Sequence, residues 1–153
     1  MTDEQPEQPA QPDQPDRAWA VAWGAATDVG RVRTSNEDSF VAESAVFGVA
    51  DGMGGHQAGE VASAIAAGIL RDRLSAGAAS VEVAEAAVVE ANAAIFQAAH
   101  RNFEQRGMGT TLTAITVLEA DGRPACLAMV NVGDSRTYVR SEEHTSELQS
   151  PCN

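Results

Sequence analysis

The chain has 153 residues, 44% of them hydrophobic, and its 22 acidic and 10 basic side chains give a net charge of −12. This length and hydrophobic content suit one globular domain with its own core. The acidic excess argues against nucleic acid or an anionic membrane as a partner, because both bind clustered cations. The only two cysteines, Cys126 and Cys152, form neither a disulfide framework nor a metal-binding spacing, which favours a reduced, cytoplasmic setting. No apolar run in the sequence approaches the ~20 residues that span a bilayer, so we expect no membrane segment.

Composition divides the chain into three segments. Residues 1–16 consist almost entirely of Gln, Pro, Asp and Glu, so we expect them to be disordered. Residues 17–140 carry the alternating and helical patterns of a folded domain. Residues 141–153 are polar and begin where a strand should turn back. Together with Arg140 they resemble the translation of a sequencing adapter, so we expect a non-native tail, and His144 and Cys152 receive no functional role.

The first part of the domain reads as strands. Tryptophan and valine alternate with alanine over residues 18–23, which predicts a strand with Trp19 and Trp23 in the core. Residues 28–31 predict a turn. Residues 40–43 and 45–50 then predict a hairpin around Ser44.

Two helices follow the hairpin. From Gly59 the apolar residues recur with helical spacing. Val61, Ile65 and Ile69 share one face, with Ala62, Ala66 and Leu70 beside them. Ser80 is a suitable N-cap for a second helix that runs to about Phe103. Its apolar side comprises Val88, Ile95, Ala99 and Phe103. The two helices are expected to form an antiparallel pair on a sheet.

Alternation returns after the helices. Residues 112–118 and 126–132 predict two strands joined by a turn at Asp121-Gly122. Residues 133–136 interrupt the second strand, and residues 137–140 resume it. The order of strands, helix pair and strands predicts an α+β fold with antiparallel pairing.

Three acidic motifs lie at the ends of these strands, namely Asn36-Glu37-Asp38, Asp51-Gly52 and Gly133-Asp134. Carboxylates that lie close together repel one another unless a cation binds between them, and this chain has no lysine to do so. Their oxygens suit Mg²⁺ or Mn²⁺. Two such ions lower the pKa of a bridging water and clamp a phosphoryl group. Arg33, just before the first motif, is suited to a bidentate grip on phosphate. Each acid taken alone is equally a turn or capping residue, and the glycines after Asp51 alone are a common strand-to-helix turn.

Four motifs in order resemble the metal-dependent protein phosphatases, the PPM or protein phosphatase type 2C family, in its bacterial form: Arg33-x-x-Asn36-Glu37-Asp38-Ser39, Val49-Ala50-Asp51-Gly52-Met53-Gly54-Gly55-His56, Gly109-Thr110-Thr111 and Val132-Gly133-Asp134-Ser135-Arg136. The resemblance covers about residues 20–140. It implies a four-layer αββα sandwich, two antiparallel sheets flanked by helix pairs, with metals in the cleft between the sheets. It also implies hydrolysis of phosphoserine and phosphothreonine in proteins by metal-bound hydroxide, and a serine/threonine kinase as a partner.

The resemblance assigns a role to each site residue. Asp51 would bridge two Mg²⁺ or Mn²⁺ ions, and the Gly52 carbonyl would bind one of them. Glu37 and Asp38 would hold a metal or its waters, and Asp134 a weaker third metal. Arg33 would hold the substrate phosphate, so that the catalytic set is Arg33, Asp38 and Asp51. Thr110 and Thr111 would be structural or cleft-lining residues without a chemical role.

The sequence departs from the family in two places. Members that place His directly after the Asp-Gly pair use it as a general acid, but here Met53 holds that position. His56 and a metal-bound water are the alternatives. The C-terminal half of the family, with further metal-binding aspartates, is missing, so we expect this chain to be inactive and poorly stable. The competing interpretations are a non-catalytic binding or regulatory module and an anion-binding domain that uses the glycine turn. The presence of Arg33, Asp38 and Asp51 favours an enzyme over both.

Overall fold

A computed structural model describes residues 21–55, 58–78, 80–120, 123–140 and 145–148. Its elements in chain order are strands β1 Asp38–Glu43 and β2 Val46–Met53, helices α1 Ala58–Leu74 and α2 Val81–Arg101, and strands β3 Gly109–Thr110, β4 Leu112–Ala120, β5 Arg123–Val132, β6 Thr137–Arg140 and β7 Thr145–Leu148. The α+β class with a helix pair between two groups of strands is therefore confirmed.

The main sheet is antiparallel and has five strands, in the order β1-β2-β4-β5, with β3 also paired to β2. The hairpin of β1 and β2 turns at Ser44, whose φ of 39° lies in the left-handed region. The predicted hairpin is confirmed, and its register places Asp38 opposite Asp51.

Small side chains bring the helices close to this sheet. Ala62 and Ala66 of α1 are fully buried, as is Leu70, whereas Val61 and Ile65 pack at the edge of the core and are only partly buried. The apolar side predicted for α1 is therefore confirmed, and its alanines are more buried than Val61 and Ile65 because a residue without a long side chain lets a helix approach a sheet. Arg73 of α1 donates two hydrogen bonds of 2.8 Å to the Glu90 carboxylate of α2 and joins the helices at the surface.

Two predictions near the ends of the fold were wrong. Residues 21–29 have no regular structure, and Trp23 is 57% exposed, with its ring 6.2 Å from that of Phe47. Among the described residues no strand pairs with residues 21–23, so the alternating pattern there has no ladder to join. Phe103 lies in a short 3-10 turn after α2 and is 76% exposed, because the helix already ends at Arg101. Trp19, His56, Asp121 and Gly122 lie outside the described residues, as do residues 1–16.

The face of the main sheet that turns away from the helices carries exposed apolar side chains. Val49 and Leu127 are 48% and 60% exposed, and each neighbours a buried alanine on the helix side of the sheet. Trp23 and Phe47 line an open groove of about 1040 Å³ on this face. A second small sheet pairs β6 with β7, so residues 145–148 of the segment predicted to be a non-native tail form a strand. The origin of that tail stays a prediction.

Candidate metal centre

The hairpin brings two carboxylates together at one end of the sheet. Asp38 and Asp51 are direct cross-strand partners in β1 and β2, and their side chains are within hydrogen-bonding reach of each other. Directly opposed residues on adjacent strands have neighbouring Cβ atoms. The prediction that the hairpin returns both acids to one end is therefore confirmed.

The electrostatics of the pair are unfavourable without a cation. Burial raises the pKa of Asp38 above its ordinary value of 3.8, and the charge of Asp51, its hydrogen bond and the charge of Glu37 raise it further. All of these effects disfavour the ionised carboxylate. A divalent cation between the two side chains would reverse the effect, since an opposite charge favours ionisation.

The main chain next to the pair is fixed through Glu37. The carbonyl oxygen of Glu37 accepts a hydrogen bond of 3.1 Å from the Gly52 N–H and one of 2.6 Å from the Ser63 hydroxyl. Ser63 is fully buried in α1 and also lies 3.0 Å from the Ser39 hydroxyl. One carbonyl therefore joins the start of β1 to the end of β2 and to the helix.

Two glycines allow α1 to approach the acidic pair. A Cβ on Gly52 would lie 2.1 Å from the Gly59 carbonyl oxygen and 2.5 Å from that of Glu37. A Cβ on Gly59 would lie 2.8 Å from the Gly52 carbonyl carbon. Both positions exclude any side chain. The close contact with the helix is thus a packing reason for glycine at position 52, independent of any role of its carbonyl.

A third segment reaches the pair through Thr111. The Asp51 N–H donates to the Thr111 hydroxyl at 3.2 Å, and the Thr111 N–H donates to the Asp51 carbonyl at 2.9 Å. The same hydroxyl lies 2.5 Å from the Ser135 hydroxyl, in the turn that contains Asp134. Gly133 has a φ of +93° and packs against the Thr111 side chain. The turn after β5 is therefore fastened next to Asp51.

The remaining site residues are less tightly assembled. Arg33 and Asp134 are exposed, as are Asp38 and Asp51 themselves, and Glu37 is half-buried. Within the described ranges, no three or more His, Cys, Asp or Glu side chains form a group able to hold a metal ion. The structure thus brings Asp38 and Asp51 together but does not add Glu37 or Asp134 to them as a third carboxylate ligand.

The pair nevertheless fits a hard divalent cation. Mg²⁺ is commonly bound through one or two carboxylates and keeps several waters, so two aspartates are a sufficient protein contribution. The raised pKa of Asp38 reflects desolvation together with the like charges of Asp51 and Glu37, which a bound cation would offset. Asp38 and Asp51 offer oxygen donors only, which suit Mg²⁺ or Mn²⁺ better than the Cys and His ligands typical of structural zinc sites.

The sequence was compared with known families. The protein phosphatase 2C family matches residues 31–153. The chain belongs to this family. The serine/threonine protein phosphatase PstP of Mycobacterium tuberculosis is 40% identical over 128 residues, which are 82% of this chain and 24% of PstP. The serine/threonine phosphatase stp of Listeria innocua is 34% identical over 133 residues, which are 80% of this chain and 51% of that protein. The chain spans about half or less of the length of these curated relatives.

Solved structures agree with this assignment. A crystal structure of the PstP catalytic domain in complex with two manganese ions superposes with a TM-score of 0.69 and 36% identity, over 78% of this chain and 51% of that one. The fold is therefore that of part of a PPM catalytic domain. Divalent metal binding is a property of this relative. In the described part of the present chain, neither helix is long and apolar enough to cross a membrane.

Sequence reasoning missed Ser63 and left the contacts of Thr111 unspecified. Ser63 is the only hydroxyl residue on the buried face of α1, and that exception was the available signal. For Thr111 the sequence predicts only a structural or cleft-lining role, because its contacts join segments that are 60 and 24 residues away in sequence.

Proposed function

We propose that this chain is part of a Mg²⁺- or Mn²⁺-dependent protein serine/threonine phosphatase, with Asp38 and Asp51 as ligands of the metal. The observation that carries the proposal is the opposition of these two carboxylates across β1 and β2, at the end of the sheet where the glycine-rich turn begins. The two manganese ions in the PstP catalytic domain support the choice of metal.

Further residues would complete the site. Glu37 is held beside the pair by its own main chain, and the Gly52 carbonyl lies at the same strand end, so both are candidates for a metal or its waters. Asp134 would hold a third, weaker ion, since its turn is fastened to Asp51 through Thr111. When bound, divalent ions lower the pKa of water and neutralise charge on a phosphoryl group.

The side chains of this site act mainly by position and charge. The two aspartates supply fixed negative charge that selects divalent cations. Arg33 is exposed and would bind the phosphate of a phosphoserine or phosphothreonine through two parallel N–H donors. Met53, which follows the Asp-Gly pair, has no proton to donate. Protonation of the leaving hydroxyl therefore falls to water or to another residue, with His56 as a candidate.

We propose in addition that these 153 residues alone are inactive toward phosphoproteins, and that the parent phosphatase works in a cytoplasmic setting shared with a serine/threonine kinase. Two carboxylates give each ion few protein ligands, and the described residues hold no larger group. The alternative is a non-catalytic binding or regulatory module on the same scaffold. The exposed Arg33, five residues before Asp38 in the sequence, together with an intact acidic pair favours the enzyme.

The test measures Mn²⁺ binding to the chain and phosphothreonine-peptide hydrolysis by the complete gene product. Binding detected by electron paramagnetic resonance should be lost in Asp51→Asn and kept in Glu85→Gln, which changes an exposed acid of α2. Hydrolysis should stop with chelator and return with Mn²⁺. Hydrolysis that survives chelator or Asp51→Asn would refute the metal mechanism, and metal binding without hydrolysis would favour the regulatory module.

A further inference from the structure

Thr111 is the point at which two acidic segments of the site meet. Its side chain is 4% exposed, and its hydroxyl contacts Asp51 on one side and Ser135 on the other. The main-chain N–H of Thr111 also donates to the Asp51 carbonyl. Asp51 is therefore held at both its N–H and its carbonyl by one residue.

The Thr111 hydroxyl takes part in two hydrogen bonds. The Asp51 N–H is an obligatory donor, so the Thr111 oxygen accepts from it. The Thr111 and Ser135 hydroxyls lie 2.5 Å apart, and either one can donate to the other. Hydrogen bonds that share a group polarise and strengthen one another. The path leads from the main chain of Asp51 to the turn that carries Asp134.

A steric contact reinforces this path. Gly133 has a φ of +93°, and a Cβ there would lie 2.9 Å from the Thr111 Cγ2 atom. The Thr111 methyl group thus lies next to Gly133 and its hydroxyl bonds Ser135, so Thr111 contacts the turn on either side of Asp134.

We propose that Thr111 is a positioning residue that couples Asp51 to the Asp134 turn, so that cation binding at the acidic pair depends on the Thr111–Ser135 hydrogen bond. The inference rests on the proposed function, because it concerns the same metal centre. Outer partners that orient metal ligands typically change metal affinity by about 10–100-fold when they are mutated.

The fold supplies a matched control. Two residues further along the chain, the Thr113 hydroxyl lies 2.6 Å from the Thr137 hydroxyl, and Thr113 is likewise buried. This pair joins β4 to the chain after β5, but in the described part of the chain neither hydroxyl bonds Asp51. Thr113→Val therefore removes an equivalent hydrogen bond and leaves those between Asp51, Thr111 and Ser135 in place.

The experiment measures Mn²⁺ affinity of the 153-residue chain by electron paramagnetic resonance, and amide hydrogen exchange of Asp51 by NMR without metal. Thr111→Val should weaken Mn²⁺ binding about tenfold or more and accelerate exchange at Asp51. Thr111→Ser should restore both, and Thr113→Val should leave both near the wild-type values.

Ser135→Ala provides a second, independent variant, because Ser135 is only half-buried and its loss leaves the Asp51–Thr111 bonds in place. It should weaken Mn²⁺ binding in the wild-type background and have no further effect in Thr111→Val, which is the signature of coupled residues. Equal effects of Thr111→Val and Thr113→Val on Mn²⁺ affinity, or additive effects of Ser135→Ala and Thr111→Val, would overturn this inference but not the proposed metal centre. A wild-type chain that binds no Mn²⁺ would overturn the proposed metal centre together with it.

Discussion

Asp38 and Asp51 oppose each other across the first hairpin, and the charge of Asp51 helps to raise the pKa of Asp38. Two like charges on adjacent strands destabilise a sheet, so the arrangement costs stability in the metal-free chain. A divalent cation converts the same repulsion into binding energy, because both carboxylates then share one positive charge centre.

Metal addition should therefore stabilise the fold. Mn²⁺ or Mg²⁺ at 100 times its dissociation constant is expected to raise the free energy of unfolding by about 2.7 kcal/mol. Thermal unfolding with and without metal measures the effect. Asp51→Asn should lose it, whereas Glu85→Gln on the surface of α2 should keep it. Equal stabilisation of Asp51→Asn would show that the ion binds elsewhere.

Removing the charge of Asp38 should stabilise the metal-free chain at neutral pH. The folded pKa of Asp38 is raised above 3.8, so between the unfolded and folded pKa values the native state binds more protons and stability falls as pH rises. Asp38→Asn removes this loss. Urea unfolding in chelator should show the variant to be more stable than wild type at pH 7, with a smaller difference near pH 4. A variant less stable at pH 7 would contradict the prediction.

The hairpin and its acidic pair could be predicted from sequence because both depend on local patterns. Alternation over residues 40–50 sets the two strands, and the position of the turn at Ser44 then fixes which residues face each other. The helix pair followed from apolar spacing in the same way. The pattern did not show that the alanines of α1 would be more buried than its larger apolar residues, since it measures hydrophobicity and not how closely a helix can approach a sheet.

Features that depend on a distant partner could not be predicted. The alternation at residues 18–23 predicts a strand, but no described strand pairs with residues 21–23, and Trp23 remains exposed. Ser63 and Thr111 gained their roles from hydrogen bonds to residues more than 20 positions away. Glycine at position 59 gave no signal beyond helix initiation, although its packing against Gly52 decides how close α1 lies to the site.

Two glycines of α1 should respond oppositely to alanine. A Cβ on Gly59 would meet the Gly52 carbonyl carbon at 2.8 Å, whereas one on Gly68 has no neighbour within 4 Å. Gly59→Ala is expected to destabilise the chain by roughly 1–3 kcal/mol. Gly68→Ala should stabilise it by about 0.5–1 kcal/mol, because alanine is the better helix former. Urea unfolding measures both, and two changes of the same sign would refute the close contact.

The exposed sheet face should limit the solubility of the chain. Val49 and Leu127 are 48% and 60% exposed on the face that turns away from the helices. Threonine at both positions keeps strand propensity and should raise the concentration at which light scattering begins. Val89→Thr, at a 62% exposed position of α2, is the control and should change it little. If Val89→Thr raised that concentration equally, the gain in solubility would come from a more polar surface in general and not from this face of the sheet.

Ser63 should stabilise the acidic site through its hydrogen bond to the Glu37 carbonyl. Its hydroxyl donates to the Glu37 carbonyl at 2.6 Å, and in Ser63→Ala that carbonyl keeps only the Gly52 N–H, at 3.1 Å. The loss of a buried hydrogen bond is expected to cost about 1–3 kcal/mol. Because Glu37 lies beside the pair, Mn²⁺ affinity should fall about tenfold as well.

Ser39→Ala is the matched control for this change. It removes the 3.0 Å contact between the Ser39 and Ser63 hydroxyls and leaves the bond from Ser63 to Glu37 intact. Urea unfolding and Mn²⁺ titration should therefore show a smaller loss of stability and nearly unchanged affinity. Should Ser39→Ala weaken Mn²⁺ binding as much as Ser63→Ala does, the effect would belong to the serine pair as a whole. The Glu37 carbonyl would then not be the group through which α1 positions the site.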